Sequence, residues 1–347
     1  MFSDFIRFAS ENIRRELPQN LPLLLHGGTP VKHNPVRDVF KKDGFFIKID
    51  HRKFHTFAHE FSIALALQKA GLPVVEHLAY GRIGNDNFLI SRELAGAVSA
   101  EDFLDSDLCK ADFIESFTVL MQKWQKAKFS HADPHFGNLL YVPEKNLPVL
   151  VDVHDIKRRV FFGSQNKDII RFIFNLRGRI PYSIIFNLLA KFQVRNPQLI
   201  FERMLSDEII RIKAQWRKRC RQLFNAYPKF SVQIKEELIA AKYRENFTSF
   251  PEEPSPDAAK IFAASFFLSL LQIPHRRCIA VNIKNSTLRF ENELSGTPNA
   301  AECAILQSIL TKCGFDFTAG SLREYHGLAA INDISAAADS PFFKYER

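Results

Sequence analysis

Residues 131–138, with the sequence HADPHFGN, constrain the fold of this chain more than any other segment. They place a histidine, an aspartate two residues later and an asparagine five residues after that. In a loop with this spacing, Asp133 faces a reacting group while Asn138 turns back toward a metal ion. A site of this kind needs a second metal ligand and a cation, and the rest of the chain is expected to supply both.

An apolar strand follows the loop and ends in an acid. Residues 148–151 read Pro-Val-Leu-Val, and Asp152 stands 14 residues after Asn138. A carboxylate at the end of a buried strand needs a compensating partner such as Mg²⁺. Asp152 and Asn138 are therefore predicted to be metal ligands.

The stretch 45–50 reads as a strand that carries Lys48. Lys48 is predicted to contact the α- and β-phosphates of a nucleotide and to pair with Glu60, the only acid on the next predicted helix. Glu93 lies where a hinge would offer backbone groups to adenine. Phosphoryl transfer from ATP requires such a cation, oxygen ligands for Mg²⁺ and a carboxylate beside the acceptor hydroxyl. ATP and Mg²⁺ are the expected cofactors.

Each of these residues also has a simpler interpretation. A single strand lysine is usually solvated, His131 could be a satisfied core histidine, and Asp152 could cap a helix. These residues nevertheless occur together along the chain in the order that a phosphoryl-transfer site requires, and this outweighs the simpler interpretation of each one. Asp168, at the start of a predicted helix, is expected to anchor the 131–138 loop.

Residues from about 20 to about 225 resemble the lipopolysaccharide core kinases, the bacterial Kdo and heptose kinases of the protein-kinase-like superfamily. The resemblance lies in VRDVF at 36–40, in the compact helix with Glu60, and in VLVDVH at 149–154, with His154 where protein kinases have glycine. The string HADPHFGNLL is also similar to the ubiquinone-biosynthesis atypical kinases. Their upstream K-x-G-Q motif is missing here, and they keep the glycine, so the first group is favoured.

The resemblance implies ATP- and Mg²⁺-dependent transfer to a sugar hydroxyl of an anionic, lipid-linked acceptor at the inner face of the cytoplasmic membrane. It makes Asp133 the catalytic base, Asn138 and Asp152 the metal ligands, and Lys48 the phosphate contact. One family feature is weak, because only Gly27 and Gly28 could form a phosphate-binding glycine loop.

The pattern of apolar residues predicts an α+β protein with a two-lobed protein-kinase-like fold and a C-terminal α+β extension. Residues 1–93 are expected to form an N-terminal helix and the smaller lobe, 94–227 a helical lobe, and 228–347 an extension of unknown role. The finer expectations include a helix over 2–17, a short strand over 23–25, a loop over 26–35, one helix over 197–225 and a linker over 250–256.

The charge distribution indicates an anionic partner. The net charge is +9, and residues 151–225 hold 16 Lys and Arg against 6 Asp and Glu. Such a surface suits an anionic glycolipid or sugar acceptor and peripheral contact with a membrane, whereas no nucleic-acid-binding motif accompanies it. Five scattered cysteines, no signal-peptide pattern and no apolar stretch of the ~20 residues that span a bilayer predict a cytoplasmic protein.

Three alternatives stay open at this point. One is a small-molecule kinase of the aminoglycoside or choline type, although its pocket would carry several acids. Another is a pseudokinase that serves as an interaction module, because the glycine-rich loop is missing. A third is a two-metal phosphohydrolase using His131, Asp133, His135, Asp152, His154 and Asp155, which would leave Lys48, Glu60 and Asn138 without a role.

Overall fold

The computed structural model describes residues 4–17, 25, 27–33, 35–52, 56–106, 108–158, 165–291, 294, 299–312, 322–325 and 328–332. The chain divides into two compact units, unit 1 (residues 1–175) and unit 2 (176–347). The division falls inside the segment 94–227 that was expected to be one helical lobe, so residues 176–227 belong with the C-terminal third. The assignment of three segments to separate roles stays a prediction.

Unit 1 is built around a six-stranded antiparallel sheet with the order β1-β5-β6-β4-β3-β2. Its strands are β1 (Phe5–Phe8), β2 (Thr29–His33), β3 (Arg37–Lys42), β4 (Phe45–Asp50), β5 (His77–Ile83) and β6 (Asp86–Arg92). The turn between β3 and β4 contains Asp43 and Gly44, which both have positive φ, at 50° and 79°. This hairpin fixes the β3–β4 register, which sets Lys48 opposite Val39. On the other side of β4, Lys48 pairs with Leu89 of β6.

The N-terminal segment differs from the expected helix over 2–17. Within the described residues it forms strand β1, which pairs with β5, and a short helix α1 (Glu11–Glu16). The helix begins late because the Ser10 hydroxyl accepts a hydrogen bond from the Ile13 N–H, as an N-cap does. Phe5 and Phe8 are apolar residues that also suit a strand, and pairing with the free edge of β5 decided between the two.

Two further predictions concern the segment between α1 and β3. The short strand predicted over 23–25 lies largely outside the described residues. The loop predicted over 26–35 is wrong in part, because β2 (Thr29–His33) pairs with β3 and forms the sheet edge. Its Pro30 sits at a register shift on the edge strand, where the missing N–H costs no ladder bond.

The two faces of this sheet pack against different helices. Ile47, Phe88 and Ile90 belong to a core cluster that also contains Ile13 of α1. On the opposite face, Leu89 packs against Phe61 of helix α2 (Ala58–Lys69). Because Lys48 pairs with Leu89 across β4 and β6, it shares the α2 face of the sheet.

The remainder of unit 1 surrounds the 131–138 loop. It contains β7 (Val98–Ser99), α3 (Ala100–Asp105), α4 (Ala111–Lys126), β8 (Phe129–His131), β9 (Leu139–Val142), β10 (Leu147–Leu150), β11 (Ile156–Arg158) and α5 (Gln165–Phe174). β9 pairs with β10 and with β7, and β8 pairs with β11. Phe136 from the loop packs its ring against Phe113, Phe117 and Phe172, so an aromatic cluster fixes the loop from beneath.

The described part of unit 2 contains helices, a five-stranded antiparallel sheet and a two-stranded antiparallel sheet. Its elements are α6 (Tyr182–Lys191), α7 (Pro197–Ala214), α8 (Trp216–Phe224), β12 (Ser231–Ile234), β13 (Glu237–Ala240), β14 (Glu252–Pro254), α9 (Ala258–Leu270), β15 (Cys278–Asn282), β16 (Thr287–Phe290), α10 (Ala300–Lys312), β17 (Leu322–Tyr325) and β18 (Leu328–Ile331). The sheet order is β12-β13-β15-β16-β14, and β17 pairs with β18. The expected C-terminal α+β extension is present.

Two element predictions in unit 2 are wrong. The single helix expected over 197–225 is interrupted at Gln215, whose φ of −107° and ψ of 3° end α7 and begin α8. The expected linker over 250–256 contains β14, which pairs with β16 at the sheet edge. Prolines in a sequence usually indicate a loop. Pro254 lies instead on an edge strand, where the N–H that proline lacks is not required for pairing with a neighbouring strand.

Candidate active site

Lys48 stands at the centre of the candidate site. Its Nζ donates to Glu60 Oε1 at 2.7 Å and to Asp152 Oδ1 at 3.0 Å. β4 holds the lysine within the sheet, α2 carries the glutamate over the same face, and Asp152 follows β10. The predicted Lys48–Glu60 pair is therefore present, and the same ammonium group also binds Asp152, which lies 104 positions further along the chain.

The backbone at Asp152 is sharply turned. Asp152 adopts the left-handed conformation, with φ 52° and ψ 51°, directly after the buried strand β10. β10 itself is fixed on two sides, because it pairs with β9 and its Leu150 exchanges backbone hydrogen bonds with residues 73 and 75. Aspartate tolerates this conformation better than most residues, so the turn directs a carboxylate toward Lys48 at little backbone cost.

The charges at this site support one another. Burial alone would lower the pKa of Lys48, but the carboxylates of Glu60 and Asp152 outweigh it and raise that pKa. Burial opposes ionisation of Asp152, yet the charge and hydrogen bond of Lys48, together with His154, lower its pKa to about 2. Asp152 is thus a carboxylate and Lys48 an ammonium at neutral pH, the states that a metal ligand and a phosphate contact need.

The 131–138 loop is fixed by side chains from one face of α5. Asp168 Oδ2 accepts the His131 N–H at 3.0 Å, as its predicted anchoring role requires. One turn further on, Arg171 donates to the Ala132 carbonyl at 3.4 Å, and Asn175, just beyond the helix, donates to the Pro134 carbonyl at 2.9 Å. Positions 168, 171 and 175 repeat at the spacing of one helical face, so α5 holds three successive parts of the loop.

Within the loop, Asp133 and Asn138 are positioned by short-range hydrogen bonds. The Asp133 N–H donates to Nδ1 of the buried His131 at 3.2 Å, and Asn138 Nδ2 donates to the Asp133 carbonyl at 3.0 Å. The Val151 N–H also donates to the Asn138 carbonyl at 3.0 Å, which ties Asn138 to the residue before Asp152. The Asp133 carboxylate stays open to solvent, with 72% of its side chain exposed.

The donor set suits Mg²⁺. Asp152 supplies an ionised carboxylate, and since the Asn138 amide nitrogen is already donating, its oxygen is the atom left to bind a cation. Hard oxygen ligands of this kind are those that Mg²⁺ prefers. Among the residues that the structure describes, one group of possible ligands lies within 4.8 Å of one another, namely Glu60, Asp152 and His154.

That group does not reproduce the alternative phosphohydrolase centre. His131, Asp133 and His135 are not part of it. Lys48 is hydrogen-bonded to two of its three members, and an ammonium at that position competes with a second cation. The arrangement therefore favours one oxygen-ligated ion beside a lysine over a two-metal centre.

Two other sequence-predicted features lie away from Lys48. The Glu93 N–H donates to the Gly44 carbonyl at 2.8 Å and its carboxylate pairs with Lys41 at 2.5 Å, so its adenine-hinge role stays a prediction. Gly27 and Gly28 precede β2 instead of joining β2 to β3. A Cβ on Gly28 would meet the Lys41 carbonyl at 2.6 Å, which gives that glycine a packing role.

Sequence reasoning missed the contacts that two histidines make at this site. His154 was noted as a replacement for glycine and as a ligand of the alternative two-metal centre, but not as a partner of single carboxylates: its Nδ1 lies 3.0 Å from Asp152 Oδ1 and its Nε2 3.2 Å from Asp155 Oδ2. His77 was not singled out at all, although its Nε2 lies 3.8 Å from Glu60 Oε1. Spacing relative to Asp152 could have indicated His154, whereas nothing in the sequence brings His77 to Glu60.

A sheet carrying a lysine, a helix carrying its glutamate, and an HxDxxxxN loop before an Asp-ended strand together define an α+β, kinase-like fold, as predicted. No family model matches the sequence, and no curated protein matches it. Among solved structures, one of WbdD matches with a TM-score of 0.37 and 16% identity, over 47% of this chain and 41% of that chain. Another structure of that protein names it a bifunctional kinase-methyltransferase.

A second similar structure is the kinase PK-1 of Cydia pomonella granulovirus, with a TM-score of 0.31 and 18% identity, over 43% of this chain and 57% of that chain. The chain thus spans less than two thirds of the length of either protein. Among the described residues, no helix combines the length and the apolar character that a membrane span requires.

Proposed function

We propose that this chain is an ATP- and Mg²⁺-dependent kinase that phosphorylates a sugar hydroxyl, on an acceptor of the lipopolysaccharide-core type that carries Kdo or heptose. The observation that supports this most is the double hydrogen bond of Lys48 to Glu60 and Asp152. It joins a phosphate-binding cation to a metal-binding carboxylate, which is the pairing that phosphoryl transfer requires.

Each residue then has a distinct task. Lys48 contacts the α- and β-phosphates while Glu60 holds it in place, and Asp152 and Asn138 bind Mg²⁺. The ion, when bound, neutralises charge on the phosphates. The Asp133 carboxylate is exposed, and the Asp133 N–H is hydrogen-bonded to His131. The carboxylate can therefore accept the proton of an acceptor hydroxyl that enters from solvent.

The choice of an anionic acceptor is supported by charge. The exposed side chains of Arg217, Lys218 and Arg221 lie on α8, whose sequence contains no acid. Such a surface attracts phosphorylated sugars and anionic lipid headgroups, which also supports peripheral contact with the inner membrane. A kinase for cationic small molecules would be expected to present acids to its acceptor.

The first test is nucleotide binding followed by transfer. Mg·ATP at millimolar concentration should raise the melting temperature, and labelled phosphate should pass to one member of a panel of core glycolipids. Asp133→Asn should lower transfer by about 10²-fold or more while nucleotide binding survives, because only proton acceptance is lost. Asp112→Asn, an exposed aspartate on α4, is the matched control.

Transfer by Asp133→Asn at the wild-type rate would remove Asp133 as the base. Absence of thermal stabilisation by Mg·ATP would contradict kinase activity and favour the pseudokinase interpretation. If an aminoglycoside or choline is phosphorylated and no glycolipid is, the proposed kinase activity is supported and the proposed acceptor is wrong.

A further inference from the structure

His77 lies on the face of the sheet that carries Lys48. It pairs with Ser91 at the start of β5, while Tyr80 of the same strand pairs with Leu89. A register shift between His77 and Ala79 inserts one extra residue into this strand. Strict alternation from Tyr80 would direct His77 to the other face, so the bulge re-aims it toward α2 and Glu60.

The two ring nitrogens of His77 have different surroundings. Nδ1 lies 2.8 Å from the Ser91 hydroxyl oxygen. Nε2 has no hydrogen-bond partner within the described part of the chain, although the residue is only 2% exposed. Glu60 Oε1, the oxygen that accepts from Lys48, lies 3.8 Å from Nε2.

The neighbours of the ring select one tautomer. Burial, the largest influence, lowers the pKa of His77 to about 4, so the imidazole is neutral at physiological pH. A proton on Nδ1 would leave the lone pair of Nε2 facing the Glu60 carboxylate, which is repulsive. A proton on Nε2 instead faces that carboxylate, and the Ser91 hydroxyl donates to Nδ1. The second arrangement satisfies both polar contacts.

We propose that His77 is a positioning residue whose Nε2–H holds the Glu60 carboxylate toward Lys48. This inference rests on the proposed function, because it concerns the lysine that contacts nucleotide phosphates. When Lys48 also binds a phosphate, its interaction with Glu60 weakens. Glu60 Oε1 can then approach His77 Nε2, now 3.8 Å away, and accept a hydrogen bond from it. The α2 helix then keeps its glutamate in place during nucleotide binding.

A pair of substitutions separates this role from packing. His77→Gln places an amide N–H near the position of Nε2, whereas His77→Asn is shorter and reaches only toward Ser91. A hydrogen bond to a charged group corresponds to roughly tenfold or more in an equilibrium constant. The dissociation constant of Mg·ATP, measured by calorimetry, should rise about tenfold for His77→Asn and stay within about threefold of wild type for His77→Gln.

His275→Gln is the matched control, because His275 is a buried histidine in unit 2, and its nucleotide affinity should equal that of wild type. A second readout needs no nucleotide: the ¹⁵N shifts of the His77 ring should show a protonated Nε2 and a bare Nδ1. Ser91→Ala removes the hydroxyl that donates to Nδ1 and should make the two tautomers more equally populated.

Equal nucleotide affinity of folded His77→Asn and wild type would overturn the proposal, and so would equal losses in His77→Asn and His77→Gln. A ring protonated on Nδ1 would overturn it as well. If wild-type protein binds no nucleotide, kinase activity fails independently, and the ring shifts alone decide whether His77 donates to Glu60.

Discussion

His77 in unit 1 and His275 in unit 2 are both buried histidines, and burial lowers the pKa of each to about 4. Both ring nitrogens of His275 have partners, since Nε2 lies 3.0 Å from the Ser265 hydroxyl and Nδ1 2.7 Å from the Ile273 carbonyl. His77 has a partner on one nitrogen and a carboxylate 3.8 Å from the other. Both nitrogens of the His275 ring therefore have hydrogen-bond partners in unit 2. Nε2 of the His77 ring has none among the described residues, and it faces Glu60.

The two units can also be compared through the groups that some of their buried ions contact. In unit 2, Arg177 donates to the Leu271 carbonyl, and Glu302 accepts the N–H groups of Tyr182 and Ser183 at the start of α6. These side chains replace backbone partners that would otherwise be missing. In unit 1, Lys48 bonds to two carboxylates from different elements. Arg289 in unit 2 also bonds to two carboxylates, those of Glu237 and Glu252. Lys48 differs because one of its partners, Asp152, follows Val151, whose N–H bonds to Asn138 of the 131–138 loop.

The largest expected effect comes from exchanging the buried cations for methionine. Lys48→Met should weaken Mg·ATP binding by about 10²-fold and lower the free energy of unfolding by about 3 kcal/mol, because two carboxylates lose their cation. Arg177→Met should lower the free energy of unfolding by about 1–3 kcal/mol and leave nucleotide affinity unchanged. Calorimetric titration and urea unfolding measure both quantities. A change in nucleotide affinity in Arg177→Met would break the contrast.

An intermediate effect is expected for the two buried carboxylates that accept backbone N–H groups. Asp168→Ala and Glu302→Ala should each lower the free energy of unfolding by about 1–3 kcal/mol, since each leaves a buried donor without its acceptor. Only Asp168→Ala should also slow phosphate transfer per folded molecule, because it releases His131 at the start of the loop. Equal transfer rates for the two variants would show that the loop needs no anchor.

The smallest effect is a change in the pH dependence of stability. A histidine whose pKa is lower in the folded state makes the unfolded chain bind more protons between about pH 6.5 and 4, so stability falls as pH falls through that window. His275→Gln and His77→Gln should each flatten this slope by up to about 1.4 kcal/mol per pH unit. Urea unfolding at pH 4.5, 5.5 and 6.5 measures it. An unchanged slope in His275→Gln would show that this ring binds as many protons in the folded chain as in the unfolded chain, so that burial does not lower its pKa.

Much of the site was predictable because its motifs are local. HxDxxxxN, the acid after an apolar strand and the single glutamate on a helix all follow from spacing and burial, and the Lys48–Glu60 pair is present as expected. The predictions for 2–17, 26–35 and 250–256 failed because strand pairing overrode local preference, whereas the helix over 197–225 is interrupted at Gln215. The 2–17 segment became β1 and α1 because β5 offered an edge, and the 250–256 segment became β14 because β16 did.

The sequence by itself determined which chemical groups are present and in what order: a lysine strand, a glutamate helix, the HADPHFGN loop and the aspartate at 152. Only the tertiary structure decided which of them meet. The bulge in β5 that directs His77 toward Glu60 depends on how β5 registers against β6. The hydrogen bonds from Asp168 and Asn175 to the 131–138 loop depend on where α5 packs. Side-chain type is a property of the residue, whereas a hydrogen bond between distant residues depends on register and packing, which the whole unit fixes.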